Sequence, residues 1–321
     1  MEITRFKSAH AEDAAALVLD GYRAEREAVR VLPLQDGYRD MFTQSIAGLA
    51  DNQTGIESFA AVERGRLAGF LAGYPAGQMF STFKGVYVPL FGHAASGIDK
   101  RSVYQQLYAA ASDAWVRGGR PMQAVSFFAH DRVVLDAWYW LGFGLRCVDA
   151  IRPLTAVDAG GAAEPDIRKA TPEDADELFP LHAEHCAYYS NPPLFMPGVE
   201  MEHGPEEFKR WLGEKDHHQW AVYADGKPVS YMRARHDGET FVAREPDTIN
   251  VCGAYTRPEL RGTGAGAALL QAVVAWAKER GYARLGVDFE SFNTLGSRFW
   301  MKHFTPFMLS AVRFIDDRNL K

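Results

Sequence analysis

Between positions 261 and 266 the chain reads Arg261-Gly262-Thr263-Gly264-Ala265-Gly266, three glycines at alternate positions behind a fixed positive charge. Glycine lets a backbone approach a ligand with no Cβ in the way, and the free N–H groups of a following helical turn favour an anion. Arg261 adds a guanidinium suited to phosphate oxygens. The chemistry this loop offers is the binding of a pyrophosphate. Gly262 to Ala267 also satisfies the G-x-G-x-x-A pattern of a dinucleotide-binding turn, with Asp288 near the distance of a ribose-binding acid. An NAD(P)-dependent oxidoreductase is therefore an alternative reading of the same residues. A dinucleotide fold, however, places this loop in its first strand-helix-strand unit, and here about one such unit follows it.

Two carboxylates stand downstream. Asp288 and Glu290 alternate along a strand and so share one face. They are candidate bases for an ammonium, set against the plainer role of solvated surface carboxylates. His182, Glu184, His185 and Cys186 cluster on a helix, His182 and His185 lying three apart on one face. No partner motif stands at a ligand spacing, so no metal is expected. The cluster reads as packing or as the lining of an acceptor pocket, bordered by Tyr188, Tyr189 and the Pro/Met-rich loop to Gly198.

The elements that must hold these residues follow from the pattern. Thr248 to Tyr255 reads as a strand, followed by Arg257-Pro258 and the glycine loop. Leu269, Ala272, Val273 and Trp276 then recur at helical spacing. Arg284 to Phe289 is a second strand, followed by Asn293 and an aromatic-rich helix that ends at Phe304. This order, with Arg-x-x-Gly-x-Gly at its centre, resembles the GNAT acetyltransferase superfamily.

That resemblance implies that the loop from Arg261 to Gly266 binds the pyrophosphate of acetyl-CoA through backbone N–H groups. It implies that Ala254, Tyr255 and Thr256 line the pantetheine between two splayed strands, and that Asn293 contacts the cofactor. A backbone N–H of the first strand would polarise the thioester carbonyl, and a neutral amine would attack it directly. The sequence departs from the family where a Tyr often protonates the leaving thiolate. Trp300 stands there, and an indole N–H is effectively non-titratable. His303-Phe304 likewise replaces the usual Gly-Phe.

Sliding the chain on itself by 161 residues aligns features from end to end. Ala9-His-Ala-Glu-Asp-Ala14 falls on Ala170-Thr-Pro-Glu-Asp-Ala175, Phe59 to Gly65 on Trp220 to Gly226, Trp115 on Trp276, Phe128 on Phe289 and Phe143 on Phe304. The matched loop is lost in the first copy, where Lys100, Arg101, Val103 and Gln105 stand for Arg261, Gly262, Gly264 and Gly266. The small-residue, Pro- and Gly-rich stretch 155–165 reads as a linker. The expected organisation is a degenerate GNAT-like domain at 1–154, the linker, and an acetyltransferase domain at 166–321. This layout is similar to that of tandem family members such as mycothiol synthase. The fold class is α/β (α+β), each domain a mixed, mostly antiparallel twisted sheet flanked by helices. The first copy would be a scaffold shaping or covering the acceptor cleft.

Bulk properties narrow the partners. A hydrophobic fraction of 47%, a charged fraction of 24% and a net charge of −6 describe a globular protein with no basic footprint for nucleic acid or an anionic membrane. No stretch approaches the roughly 20 apolar residues of a membrane helix, and the start lacks a signal-peptide pattern, so a cytoplasmic protein is expected. The expected acceptor is a primary amine of a small molecule or peptide, with acetyl-CoA as donor. Oligomeric state is open, a homodimer included. A CoA-binding module without turnover is the non-enzymatic alternative.

Overall fold

The computed structural model describes residues 1–34, 36–79, 83–158, 165–196 and 204–319. Most of the linker expected at 155–165 and the end of the Pro/Met-rich loop lie outside the described residues. The first copy supplies β1 (Glu2–Arg5), α1 (Ala11–Ala28), α2 (Tyr38–Ala47), β2 (Phe59–Glu63), β3 (Arg66–Leu71), β4 (Tyr74–Met79), β5 (Phe83–Val88), β6 (His93–Ala95), α3 (Lys100–Arg117), β7 (Met122–Phe128), α4 (Arg132–Trp140) and β8 (Gly144–Pro153). The second supplies β9 (Asp166–Lys169), α5 (Ala175–Tyr189), α6 (Pro205–Gly213), β10 (His217–Ala224), β11 (Lys227–Arg235), β12 (Thr248–Thr256), α7 (Ala265–Glu279), β13 (Arg284–Glu290), α8 (Thr294–His303) and β14 (Thr305–Phe314).

Equivalent elements recur in the same order, down to local detail. Both hairpins turn on two residues of positive φ, Arg64-Gly65 and Asp225-Gly226, the geometry that matches the twist of the flanking strands. Both also carry a register shift just before the turn, at Ala61/Val62 and at Val222/Tyr223. Short polar side chains stop the helices from fraying. Asp131 accepts from Val134 N at 3.1 Å to cap α4, and Asn293 accepts from Gly296 N at 3.1 Å to cap α8.

The compact units are not contiguous halves. One comprises Met1–Val148 with Pro306–Lys321, the other Asp149–Thr305. This differs from the division expected at the linker, because the last strand joins the earlier unit: β14 pairs antiparallel with β7, from Met308 opposite Phe128 to Phe314 opposite Met122. Composition marks where a chain is loosely held, and it carries no information on which sheet a terminal strand completes.

In the second unit the strand order is β8-β13-β12-β11-β10-β9. The pairs β9·β10, β10·β11 and β11·β12 are antiparallel and β12·β13 is parallel. A dinucleotide fold would need a mostly parallel sheet. Ala175, Leu178 and Leu181 of α5 and Phe208 and Leu212 of α6 pack with Ala221, Tyr223 and Tyr231 as one core. On α7 the buried face is Leu269, Leu270, Val273, Val274 and Ala277. It is rotated from the expected stripe, since Trp276 is half-buried and packs on Trp220 at 5.3 Å.

Candidate active site

Strands β12 and β13 pair from Thr248 opposite Arg284 to Val251 opposite Val287. Their ladder ends there, although β12 runs on to Thr256 and β13 to Glu290. Beyond that point β12 stays with β11, from Gly253 opposite Arg233 to Thr256 opposite Ser230. The register shifts between Arg233 and Ala234, so Cys252 is the extra residue of a bulge. A bulge bends and twists its strand, and this one falls where β12 parts from β13. The result is a wedge between residues 252–256 and 288–290, with Ala254, Tyr255 and Thr256 on one wall.

The glycine loop closes the end of that wall. A single turn, Pro258–Leu260, leads into it, and α7 leaves it. Gly262 and Gly264 adopt φ of 81° and 93°, and Gly264 is the residue that starts α7. Side chains rarely adopt these angles. A Cβ on Gly262 would meet nothing within 4 Å, so the outer side of the loop is open to a ligand. Gly266 carries a further constraint, since a Cβ there would come within 3.3 Å of the Phe299 ring on α8. It lets two helices pack closely.

Charged and aromatic side chains hold the rim. Arg261 Nε donates to Thr256 O at 3.1 Å, and its guanidinium lies 5.4 Å from the Tyr188 ring centroid and 5.8 Å from that of Tyr255. Thr263 Oγ1 donates to Leu260 O at 2.8 Å, fixing the loop. Arg257 makes a forked ion pair with Glu184 at 2.9–3.2 Å, tying α5 to the end of β12. Tyr188 OH donates to Asn293 Oδ1 at 3.0 Å. Asn293 is thus both the cap of α8 and a partner of α5, roles that spacing in the sequence does not reveal.

The histidine cluster proves to be a buried polar network. Both His182 Nδ1 and His185 Nδ1 approach Tyr231 OH, at 3.1 and 2.6 Å. The hydroxyl has one proton, so it donates to one ring and accepts from the other, and only one of the two Nδ1 atoms carries a proton. Burial, then the neighbouring His182 and Arg233, push the His185 pKa down to about 3, which keeps that ring neutral. His185 also stacks on Tyr255 at 5.4 Å, so α5 buttresses the wall of the wedge. Among the described residues no group of three or more His, Cys, Asp or Glu could hold a metal.

Asp288 and Glu290 lie on the opposite wall, at the free end of β13. Asp288 keeps a surface open to solvent but is crowded by protein. Desolvation raises its pKa first, the Glu239 carboxylate adds to the rise, Arg235 opposes it, and the result is about 6. Its remaining access to solvent trims the shift without reversing it. Asp149 is raised in the same direction by burial, then by Asp288 and Glu239. Tyr189 is pushed up to about 12 by burial, then by Glu290 and Asp288. These carboxylates therefore lie close enough together to resist ionising at once.

Trp300 lies in the core, 7% exposed, packed edge-on to Phe299 at 4.8 Å and to Phe304 at 5.6 Å.

Known proteins match this arrangement. The model of the acetyltransferase (GNAT) family matches residues 182–304. The chain is 31% identical over 130 residues, 40% of its length and 76% of the relative's, to aminoglycoside N(6')-acetyltransferase type 1 of Stenotrophomonas maltophilia. The solved structure of a GCN5-related N-acetyltransferase from Sphaerobacter thermophilus shares the fold, with a TM-score of 0.57 at 16% identity over 99% of this chain and 98% of that one. A GNAT-family acetyltransferase from Colwellia psychrerythraea aligns over 98% of this chain and 100% of its own, with 12% identity and a TM-score of 0.49. With its strands splayed beside a glycine loop at a helix start, this chain belongs to the GNAT acetyltransferase family and is an acyltransferase.

Proposed function

We propose that the chain transfers an acetyl or other short acyl group from acyl-CoA to a primary amine of a small molecule or peptide, by direct attack. The observation that carries this reading is the parting of β12 from β13 at Val251/Val287, with the glycine loop at the far end of the freed stretch of β12. A slot of this kind admits an extended thioester arm whose phosphates end at the loop. Gly262 and Gly264 bring backbone N–H groups to the pyrophosphate, with Thr263, Ala265 and Gly266 completing the turn and Arg261 at its rim. Ala254, Tyr255 and Thr256 offer an extended edge to the pantetheine, and Asn293 faces it from the start of α8. An N–H of β12 beyond the bulge polarises the thioester carbonyl.

On the other wall, Asp288 takes the proton that the attacking amine must lose, with Glu290 beside it on the same face. A base with a pKa near 6 is ionised at neutral pH and still holds a proton well, which suits general base catalysis. Activity should therefore fall as pH drops through about 6. The relative's name supports a small amine as acceptor. The first copy acts as a scaffold without a cofactor site, and the reaction belongs in the cytoplasm. No helix among the described residues is long and apolar enough to cross a membrane.

Calorimetric titration with acetyl-CoA, with NAD and NADP as controls, tests the reading, and amines are then screened by release of free thiol. One acetyl-CoA per chain and no dinucleotide binding is expected. Binding of NAD without acetyl-CoA would return the loop to the oxidoreductase alternative, and binding of CoA with no thiol release for any amine would leave a silent module.

A further inference from the structure

The thiolate that leaves must be protonated, and Trp300 cannot do it, being an indole buried in the core. Other side-chain hydroxyls near the wedge differ in placement. Ser230 and Thr256 bond to each other at 2.6 Å. Tyr255 is stacked on His185. Tyr189 sits among carboxylates and holds its proton up to about pH 12. Tyr188 is different in placement. It approaches from α5, its ring beside Arg261 and 6.4 Å from Tyr255 on the β12 side, and its hydroxyl reaches Asn293, whose own N–H bonds to O of Glu290, the last residue of β13. The phenol therefore reaches from the Tyr255 side of the wedge to Asn293 after β13, beside the proposed course of the thioester arm.

We propose that Tyr188 is the proton donor to the leaving thiolate, a role taken over by α5 because α8 carries Trp300. This rests on the acyl-transfer reading. The amine nitrogen attacks the carbonyl carbon and forms the C–N bond. The C–S bond then breaks with its electron pair going to sulfur, and the Tyr188 O–H proton passes to sulfur to give the free thiol. The proton lost by nitrogen leaves through Asp288 to water, and water restores the Tyr188 proton. Asn293 Oδ1 fixes the hydroxyl between turnovers, and the guanidinium against the ring holds its orientation.

The test compares Tyr188→Phe with the unmodified protein, using the amine that gives the fastest turnover and two donors, acetyl-CoA and its selenoester analogue. A selenol is far more acidic than a thiol and leaves as an anion without a proton. With acetyl-CoA, kcat should fall about 10- to 100-fold while calorimetric affinity for acetyl-CoA stays within about threefold. With the selenoester, formation of the acylated amine, followed by mass spectrometry, should fall less than about threefold. An unchanged kcat, or an equal loss with both donors, overturns the proposal while leaving acyl transfer intact. Failure of the unmodified protein to bind acetyl-CoA removes the acyl-transfer reading itself, and this proposal with it.

Discussion

The two copies start from one plan and differ in what fills the space between the splayed strands. In the second, Ala254 and Ala265 leave the wedge open beside Gly262 and Gly264. In the first, the matching positions carry His93 and Tyr104. There β5 pairs in parallel with β7 from Gly85 opposite Met122 to Val88 opposite Val125, the chain breaks at Pro89 to Gly92, and β6 veers off to pair with β3. The strands part as in the second copy, but His93 bridges the gap. Its Nε2 donates to Ser126 O on β7 at 2.9 Å, which obliges Nδ1 to accept from Tyr104 OH at 2.9 Å. Trp138 closes over both rings at 5.5–5.6 Å. Burial pushes His93 down to about 4, so the plug is neutral. Where the second copy has Arg261 followed by two glycines of positive φ, the first has Lys100 paired with Asp131 at 3.1 Å. The same gap is filled in the first copy by two large side chains, with no glycine pair beside it.

Gly264→Glu should break the contrast most severely. It places a side chain at φ 93° and an anion at the proposed pyrophosphate position. We expect acetyl-CoA affinity to drop about 100-fold or more by calorimetry, about 2.7 kcal/mol. Retained affinity would show that the loop is not the site. Tyr104→Ala acts on the other side of the comparison. Removing a ring that is 1% exposed should cost about 3 kcal/mol in denaturant unfolding yet leave acetyl-CoA affinity unchanged. A loss of affinity would mean that the plugged copy also takes part in binding.

Asp288→Asn should reduce kcat about 100-fold and remove the acidic limb near pH 6. Stability should move the other way. A carboxyl whose folded pKa is raised contributes stability below its unfolded value of 3.8 and loses it as pH rises through about 6. The Asn variant should therefore melt no lower than the parent at pH 7.5, and a clear fall in Tm there would mark Asp288 as structural. The smallest effect belongs to Lys100→Met. Its ion pair is partly exposed, so unfolding should shift by less than about 1 kcal/mol. A larger loss would make that pair, and not the aromatic plug, the main closure of the first copy.

Much of this was legible in the sequence because it is written locally. The glycine loop, both Arg/Asp-Gly turns and the helices on either side depend on backbone angles and periodicity, which a few neighbouring residues dictate. An offset of 161 residues aligns like residues of the two halves. What stayed hidden depends on residues far apart in the chain. The spacing of Gly266 places it in an anion loop and does not reveal its packing against the ring of Phe299. Asn293 read as a cofactor contact, and it also caps α8 and holds Tyr188. The end of the β12·β13 ladder follows from a bulge opposite Arg233, and nothing in the composition of β12 announces it. The plug in the first copy was missed for a related reason. His93 and Tyr104 look unremarkable until the strands part around them.

The pairing of β14 with β7 also constrains how the protein is made. A ribosome releases the chain from its N-terminus, so the earlier unit lacks the strand that pairs with β7 until Thr305–Phe314 emerges. Its assembly must wait while the unit formed by Asp149–Thr305 is free to fold first. Truncation after Thr305 should accordingly leave the glycine loop's own unit complete and strip the plugged one of a strand, so the copy made first is the one that finishes last.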